Sequence, residues 1–88
     1  MELAGANPCV GQAALVCGFP HAGQVSLEVF DPRGRRIAVP FSGSVDAGMS
    51  TIVWDLRSDA GRSVAGGAYF ARLAYGDESR VARIIVAR

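Results

Sequence analysis

The fold is decided by residues 54–73, WDLRSDAGRSVAGGAYFARL, which read as the end of one strand, a polar turn and a second strand. A β-rich run ends at Trp54, and Asp59-Ala60-Gly61 then signals a tight turn. Gly67 and the glycine before it can take a positive φ without a Cβ clash, so the chain can reverse or bulge ahead of Tyr69. A lone indole in a small β domain usually lies at the centre of the core, which makes Trp54 its predicted centre.

Period-two alternation of apolar residues extends outward from this unit in both directions. It predicts strands at residues 13–19, 24–30, 35–39, 51–54, 69–73 and about 79–87. Short strands spaced by about 8–12 residues, with turns between them and no helical period, predict a seven-stranded antiparallel β-sandwich of immunoglobulin or fibronectin III type. The residues expected in its core are Trp54, Tyr69, Leu27, Val29, Phe19 and Leu73.

Turn residues separate the predicted strands. Asp31-Pro32-Arg33-Gly34 is a tight-turn signal, with proline at the second position and Gly34 at the fourth. Pro40 indicates either that the hairpin strand before it ends there or that this strand lies at a sheet edge. Residues 42–48 are expected to form a polar loop. Asp59, Gly61 and Gly67 complete the set of predicted turn residues.

The composition of the 88-residue chain limits its class. Nine arginines, no lysine and eight acidic residues give a net charge of +1, with both signs mixed along the chain. A nucleic-acid partner or a membrane surface would require a basic stripe, so neither is expected. No apolar run approaches the roughly 18 residues of a membrane helix. Met1-Glu2-Leu3-Ala4-Gly5 also lacks the features of a signal peptide.

Eight short motifs occur in one order along the chain and carry a family resemblance. They are Asn7-Pro8; Phe19-Pro20 with Gly23; Val29-Phe30-Asp31 leading to Gly34-Arg35; Ala47-Gly48; Val53-Trp54-Asp55; Asp59-Ala60-Gly61-Arg62; Gly67-Ala68-Tyr69-Phe70-Ala71-Arg72-Leu73; and Arg83-Ile84-Ile85-Val86. This order resembles the C-terminal type A sorting domain of the type IX secretion system. It is also similar to the FlgD-like immunoglobulin domain of the flagellar hook cap.

The resemblance covers about residues 7–88, which defines a single immunoglobulin-like domain preceded by an N-terminal extension, residues 1–6. It implies an extracellular or cell-surface module without catalytic activity. Its implied partners are the export machinery and a covalently linked passenger domain. One departure is Leu56, since the family usually has glycine after the Trp-Asp pair.

The residues that could carry chemistry form no recognisable catalytic or metal-binding motif, so no enzyme activity, cofactor or metal is expected. His21 is expected to be a solvated turn residue. Asp55, Asp59 and Asp77 do not match a calcium-loop pattern and are expected to cap turns. Cys9 and Cys17 leave three alternatives open: an intramolecular disulfide, an intermolecular disulfide, or two buried thiols. There is no Cys-x-x-Cys motif.

A surplus of apolar residues is the strongest functional signal in the sequence. Half the residues are hydrophobic, the mean hydropathy is +0.24, and no charged residue occurs between Glu2 and Glu28. The alternation places Val16, Phe30, Val81 and Ile85 on outward faces, where either loops cover them or they are candidate interface residues. The alternative to a sorting or accessory module is therefore a self-assembling subunit of an extracellular filament or surface layer. Arg72 and Arg83 are expected either to pair across strands or to recognise a partner.

Overall fold

A computed structural model describes residues 1–5 and 9–87 of the chain. These residues form seven strands and no helix. The strands are β1 (Glu2–Gly5), β2 (Ala13–Phe19), β3 (Gly23–Phe30), β4 (Arg36–Val45), β5 (Gly48–Trp54), β6 (Gly67–Tyr75) and β7 (Glu78–Val86). The described part therefore contains no helix that could span a membrane.

The strands form two antiparallel sheets, with the order β1-β2-β5 in the small sheet and β4-β3-β6-β7 in the large sheet. The chain crosses from one sheet to the other after β2, after β4 and after β5. The predicted all-β, seven-stranded sandwich is confirmed.

The core lies between the two sheets and is built by alternate residues of the central strands. All six residues expected there are buried, and the indole of Trp54 is the largest fully buried side chain. The Trp54 and Tyr69 rings meet edge to face, with their centroids 5.7 Å apart. The indole N–H donates to the carbonyl oxygen of Arg57 at 2.9 Å, and the Tyr69 hydroxyl donates to that of Ala65 at 2.7 Å. The Tyr69 contact is a tyrosine corner, as found in many immunoglobulin-type sandwiches.

The N-terminal extension predicted for residues 1–6 contains the first strand. Glu2–Gly5 pairs antiparallel with β2, from Glu2 opposite Gly18 to Gly5 opposite Leu15. The sequence does not reveal this strand because four residues are too few for a clear alternation. The Asn7-Pro8 motif lies outside the described residues. Cys9 then forms a parallel bridge with Val86 of β7, so Cys9 lies against an edge of the large sheet.

The polar loop predicted at residues 42–48 is mostly strand. β4 runs through Pro40 to Val45, and only Asp46 and Ala47 separate it from β5. Pro40 is tolerated because β4 is an edge strand, where a missing N–H group need not interrupt the backbone hydrogen bonds of the sheet. Of the two interpretations of Pro40, the edge position therefore agrees with the structure. The pairing of β4 with β3 shifts between Leu27 and Val29, which marks a β-bulge beside the proline.

The predicted turn residues occupy special backbone conformations. Gly34, Gly61 and Gly67 have φ values of 83°, 82° and 147°. The Asp31 carboxylate accepts the backbone N–H groups of Arg33 and Arg35 at 2.9 and 3.0 Å. These bonds, above all the one from Arg35, hold the pKa of Asp31 below its ordinary value. The carboxylate therefore stabilises the turn at neutral pH, and that stabilisation is lost as the pH falls through the lowered pKa.

Leu56 is the only non-glycine residue with a positive φ among those the structure describes, at 60°. Its side chain is nonetheless fully buried. A side chain in this conformation costs roughly 1–2 kcal/mol, so burial of the leucine must offset the backbone strain. A leucine rather than a glycine at this position exchanges backbone freedom for core packing.

We expect Trp54→Ala to reduce the free energy of unfolding by about 3–5 kcal/mol. Removing the indole opens a cavity between the sheets and leaves the Arg57 carbonyl without its donor. The loss is close to the whole stability of a domain this small. Urea unfolding followed by far-UV circular dichroism measures it. Val53→Ala, on the neighbouring half-exposed residue, is the control and should cost less than about 1 kcal/mol; a similar cost for both variants would show that Trp54 is not central.

The positive φ of Leu56 predicts an unusual order of stability among its variants. Leu56→Ala loses packing and keeps the strain, whereas Leu56→Gly loses slightly more packing and relieves the strain. We expect Leu56→Gly to be at least as stable as Leu56→Ala in urea unfolding. At Leu27, a buried residue of β3 in an ordinary strand conformation, glycine should be worse than alanine by about 0.5–1 kcal/mol. The same order at both sites would contradict this account.

Candidate interaction surfaces

Acidic, histidine and cysteine side chains are dispersed over the domain. The described residues contain no group of three or more of them that could hold a metal ion. Asp55 and Asp59 each accept a backbone N–H at 3.1 Å, from Arg57 and Val39 respectively. Asp55 therefore caps a turn, as expected, whereas the expectation for Asp59 is corrected: its carboxylate binds the edge strand β4. These bonds leave both carboxylates poorly placed to share a cation.

His21 lies at one end of the sandwich and contacts the buried ring of Tyr75. The Tyr75 hydroxyl donates to the His21 carbonyl oxygen at 2.6 Å, and it also bonds to the Nδ1 atom of the imidazole. Because the hydroxyl hydrogen is used on the carbonyl, the arrangement fits a histidine whose Nδ1–H donates to the tyrosine oxygen. Gly23 lies against the same ring, where a Cβ atom would come within 3.1 Å of Tyr75 Cε1. His21 thus anchors a turn while its surface remains exposed.

A depression of about 380 Å³ adjoins this cluster. Its described lining includes His21, Tyr75, Asp77 and Glu78, and it includes no serine, threonine or cysteine. Among the described lining residues, the hydroxyl beside the imidazole is the Tyr75 phenol, which already donates to the His21 carbonyl oxygen.

The two cysteines are buried as thiols, and no disulfide joins them in the described structure. Cys17 points into the core from β2, and its Sγ contacts the Leu15 carbonyl oxygen at 3.6 Å. Cys9 is held at the β7 edge, where its backbone N–H donates to Ile85 at 2.7 Å. Burial raises the pKa of both thiols, so they are protonated at neutral pH and weakly nucleophilic. The structure thus agrees with one of the three alternatives that the sequence left open, namely two buried thiols.

The outer face of the large sheet carries arginine and phenylalanine side chains. Glu28 lies between Arg36 and Arg72, with oxygen-to-nitrogen distances of 3.1 and 3.6 Å. Arg72 thus forms an ion pair across neighbouring strands, which is one of the two roles expected for it. Phe30 and Phe70 are direct neighbours across β3 and β6. Because these ion pairs are partly exposed, each contributes no more than about 1 kcal/mol, and their main effect is to orient the guanidinium groups.

The outer face of the small sheet is almost uncharged. Its exposed apolar side chains are Val16 on β2 and Met49 and Val53 on β5, with exposed fractions of 43%, 65% and 47%. Ala4, Ala14 and Thr51 lie among them, and Glu2 at one corner is the only ionisable side chain on this face within the described strands.

The four candidate interface residues do not form one surface. Val16 belongs to the small sheet, whereas Phe30, Val81 and Ile85 belong to the large sheet on the opposite side. Val16 and Val81 are exposed, while Phe30 and Ile85 are half-buried. Met49 and Val53 were not identified from the sequence as surface residues. The alternation in Gly48–Trp54 indicates their exposure, because they alternate with the buried Ile52 and Trp54.

The sequence matches no protein-family model and no curated protein. Among solved structures, the chain is similar to part of dimeric latent PorU from Porphyromonas gingivalis, with 19% sequence identity and a TM-score of 0.80. The match covers 97% of this chain and 9% of PorU. It is also similar to part of PorZ from the same bacterium, an essential surface component of the type IX secretion system. There the identity is 17%, the TM-score is 0.68, and the match covers 98% of this chain and 11% of PorZ.

At these identities the likeness shows the fold. The chain is an immunoglobulin-type β-sandwich, a fold that recurs as one small part of two much longer bacterial proteins. It spans about a tenth of the length of either of them.

Proposed function

We propose that this chain is a non-catalytic β-sandwich module of a secreted or cell-surface bacterial protein, and that it acts in type IX secretion as a sorting, anchoring or accessory domain. The observation that carries the proposal is that two likenesses, one of sequence motifs and one of backbone, point to the same secretion system. The order of short motifs resembles the type A sorting domain, and the backbone matches part of PorZ, a component of that secretion system, over 98% of the chain.

The distribution of reactive groups supports a role without catalysis. His21 is engaged with Tyr75, the thiols are buried, and the turn carboxylates bind backbone N–H groups. A domain that is recognised by other proteins must instead present a stable surface. Both outer sheet faces are available for this purpose, one uncharged and the other with guanidinium groups oriented by Glu28.

Export of a reporter tests the sorting role. The 88-residue chain is fused to the C-terminus of a fluorescent protein that carries a signal peptide, in a bacterium that has a type IX system. We expect the fusion to reach the surface or the medium, and to remain inside an otherwise identical strain that lacks the system. The reporter without the domain is the control. Retention of a folded fusion in both strains would refute the sorting role.

A second candidate is self-assembly through the uncharged outer face of the small sheet. The observation that favours it is the exposure of Val16, Met49 and Val53 on one face with a single ionisable residue at its corner. Two copies packed through this face would remove these side chains from water at roughly 25 cal/mol per Å² of buried apolar area.

Light scattering and negative-stain electron microscopy of the purified chain, with and without reductant, test self-assembly. If the uncharged face is the contact, Val16→Lys should convert oligomers to monomers, since a buried ammonium group costs several kcal/mol. Ser79→Lys, on an exposed residue of the opposite sheet, is the matched control and should leave the oligomers intact. A wild-type chain that is monomeric at all concentrations would exclude this candidate.

A further inference from the structure

The four edge strands of the sandwich differ in how well they are protected against pairing with another chain. An exposed edge offers unpaired N–H and C=O groups to any extended segment, so proteins cover or interrupt their edges. β1 contains only four residues. On β7, Cys9 receives a hydrogen bond from Ala87 and donates one to Ile85, so part of that edge is already paired.

The β4 edge is protected by the loop between β5 and β6, residues 55–66, which we call the corner loop. The Asp59 N–H donates to the Ile37 carbonyl oxygen at 3.0 Å, and its carboxylate accepts the Val39 N–H at 3.1 Å. Asp59 therefore takes the place of a neighbouring strand at these two positions. Pro40 follows immediately and offers no N–H at all.

The β5 edge has none of these protections within the described structure. Gly48–Trp54 is seven residues long and contains no charged residue and no proline. It pairs with β2 along its whole length on one side, from Trp54 opposite Ala13 to Gly48 opposite Phe19, and no described strand lies on its other side. Because N–H and C=O groups alternate in direction along a strand, about half of the backbone groups of β5 point toward this open side.

Two shallow depressions adjoin the open side, between β5 and β4. Their volumes are about 420 and 410 Å³, and Pro40 and Val53 line both of them. Because they share these two residues, they form one groove along the β5 edge. Trp54 lines one half of the groove and Ile52 lines the other half. A strand added to β5 would place every second side chain over this groove, whose lining mixes apolar side chains with serine and threonine.

Carboxylates border the groove at both ends. Asp46 lines it before β5 begins, and Asp55 and Asp59 line it after β5 ends, against the single guanidinium of Arg57. The Arg57 side chain is directed to the Gly61 carbonyl oxygen at 3.1 Å. The field along the edge therefore favours an occupant with basic ends.

The same carboxylates disfavour a second copy of this chain as the occupant. If two β5 strands paired antiparallel about Thr51, Asp46 of each copy would lie within one residue of Asp55 of the other. Like charges at facing positions of a strand pair are destabilising. The charges at the two ends of the edge thus favour a strand of opposite charge over a second copy of this chain.

We propose that the β5 edge accepts an extended segment of a partner protein by strand addition. The segment has small apolar or threonine side chains in its centre and a lysine or arginine at each end. Backbone hydrogen bonds to β5 provide the affinity, the groove selects the size of the inward side chains, and Asp46 and Asp55 select the basic ends. This inference rests on the edge and its charges, whether or not the domain directs secretion.

Titration of the isotope-labelled chain with a synthetic peptide, followed by amide NMR, tests the proposal. The peptide is as long as β5, alternates valine and threonine, and has an arginine at each end. We expect shifts of the amides of residues 48–54 and of the facing part of β4, with slower hydrogen exchange along β5. Two N-methylated forms of the peptide provide the decisive comparison. In each form every second amide is methylated, and the two forms carry opposite sets. One form should lose binding and the other should keep it, because only one set of amides faces β5.

The charge requirement is tested on the protein. Asp46→Asn combined with Asp55→Asn should weaken binding about threefold to tenfold, and high salt should reduce the difference. The matched control is Asp77→Asn, in the turn between β6 and β7, which should leave the affinity unchanged.

Several results would overturn the proposal. These are absence of shifts at millimolar peptide, equal loss of binding with both methylated forms, and equal binding of a peptide with glutamate at its ends. Shifts confined to the outer face of the small sheet would place the contact elsewhere. Shifts of β5 that depend on protein concentration without peptide would make a second copy the occupant.

Discussion

The burial of one indole is the constraint on which the rest of this domain depends. Trp54 fills the space between the sheets, and its N–H group must find an acceptor there because an unpaired buried donor costs about 1–3 kcal/mol. The acceptor is the carbonyl oxygen of Arg57, only three residues further along the chain. To present it, the chain must turn back at once after β5, and it does so through a positive φ at Leu56 whose strain is offset by burial of the leucine.

That reversal arranges the whole corner loop. The loop closes through backbone bonds between Ser58 and Arg62 and between Val64 and Leu56, and Tyr69 secures its far end by the bond to Ala65. The same geometry places Asp59 against β4, twenty residues away in sequence. The interaction that anchors the core therefore also protects one edge of the large sheet, and it leaves the β5 edge of the small sheet uncovered.

The two outer faces and the open edge make different demands on a partner. The large sheet presents guanidinium groups held by Glu28 beside aromatic rings, which suits an acidic or polar surface. The small sheet presents aliphatic side chains and suits an apolar surface. The β5 edge would bind backbone, with carboxylates that select basic ends. Different partners can use these surfaces separately, because the sandwich holds the two faces on opposite sides and the β5 edge between them.

The sequence by itself determined the strands and the core, because both follow from local rules. Side chains alternate with a period of two, and proline, glycine and aspartate define turns through their own backbone preferences. Trp54, Leu27 and Leu73 could thus be assigned to the interior, and the turns at Gly34 and Gly61 could be placed, from the sequence alone. β1 was not predicted because four residues are too few to show a periodicity. The prediction for β4 ended too early because a proline is compatible with both a strand end and an edge strand.

Only the tertiary structure decided which surfaces exist. Val16 and Val81 are equivalent in the sequence, since each faces outward from an alternating strand, but the crossings between the sheets place them on opposite sides of the sandwich. The contact between Asp59 and Val39, and the open groove beside β5, likewise arise from strands that are distant in sequence. Alternation specifies inside and outside for each strand, whereas the order of strands in a sheet depends on long-range pairing, and that pairing determines which edge is left open.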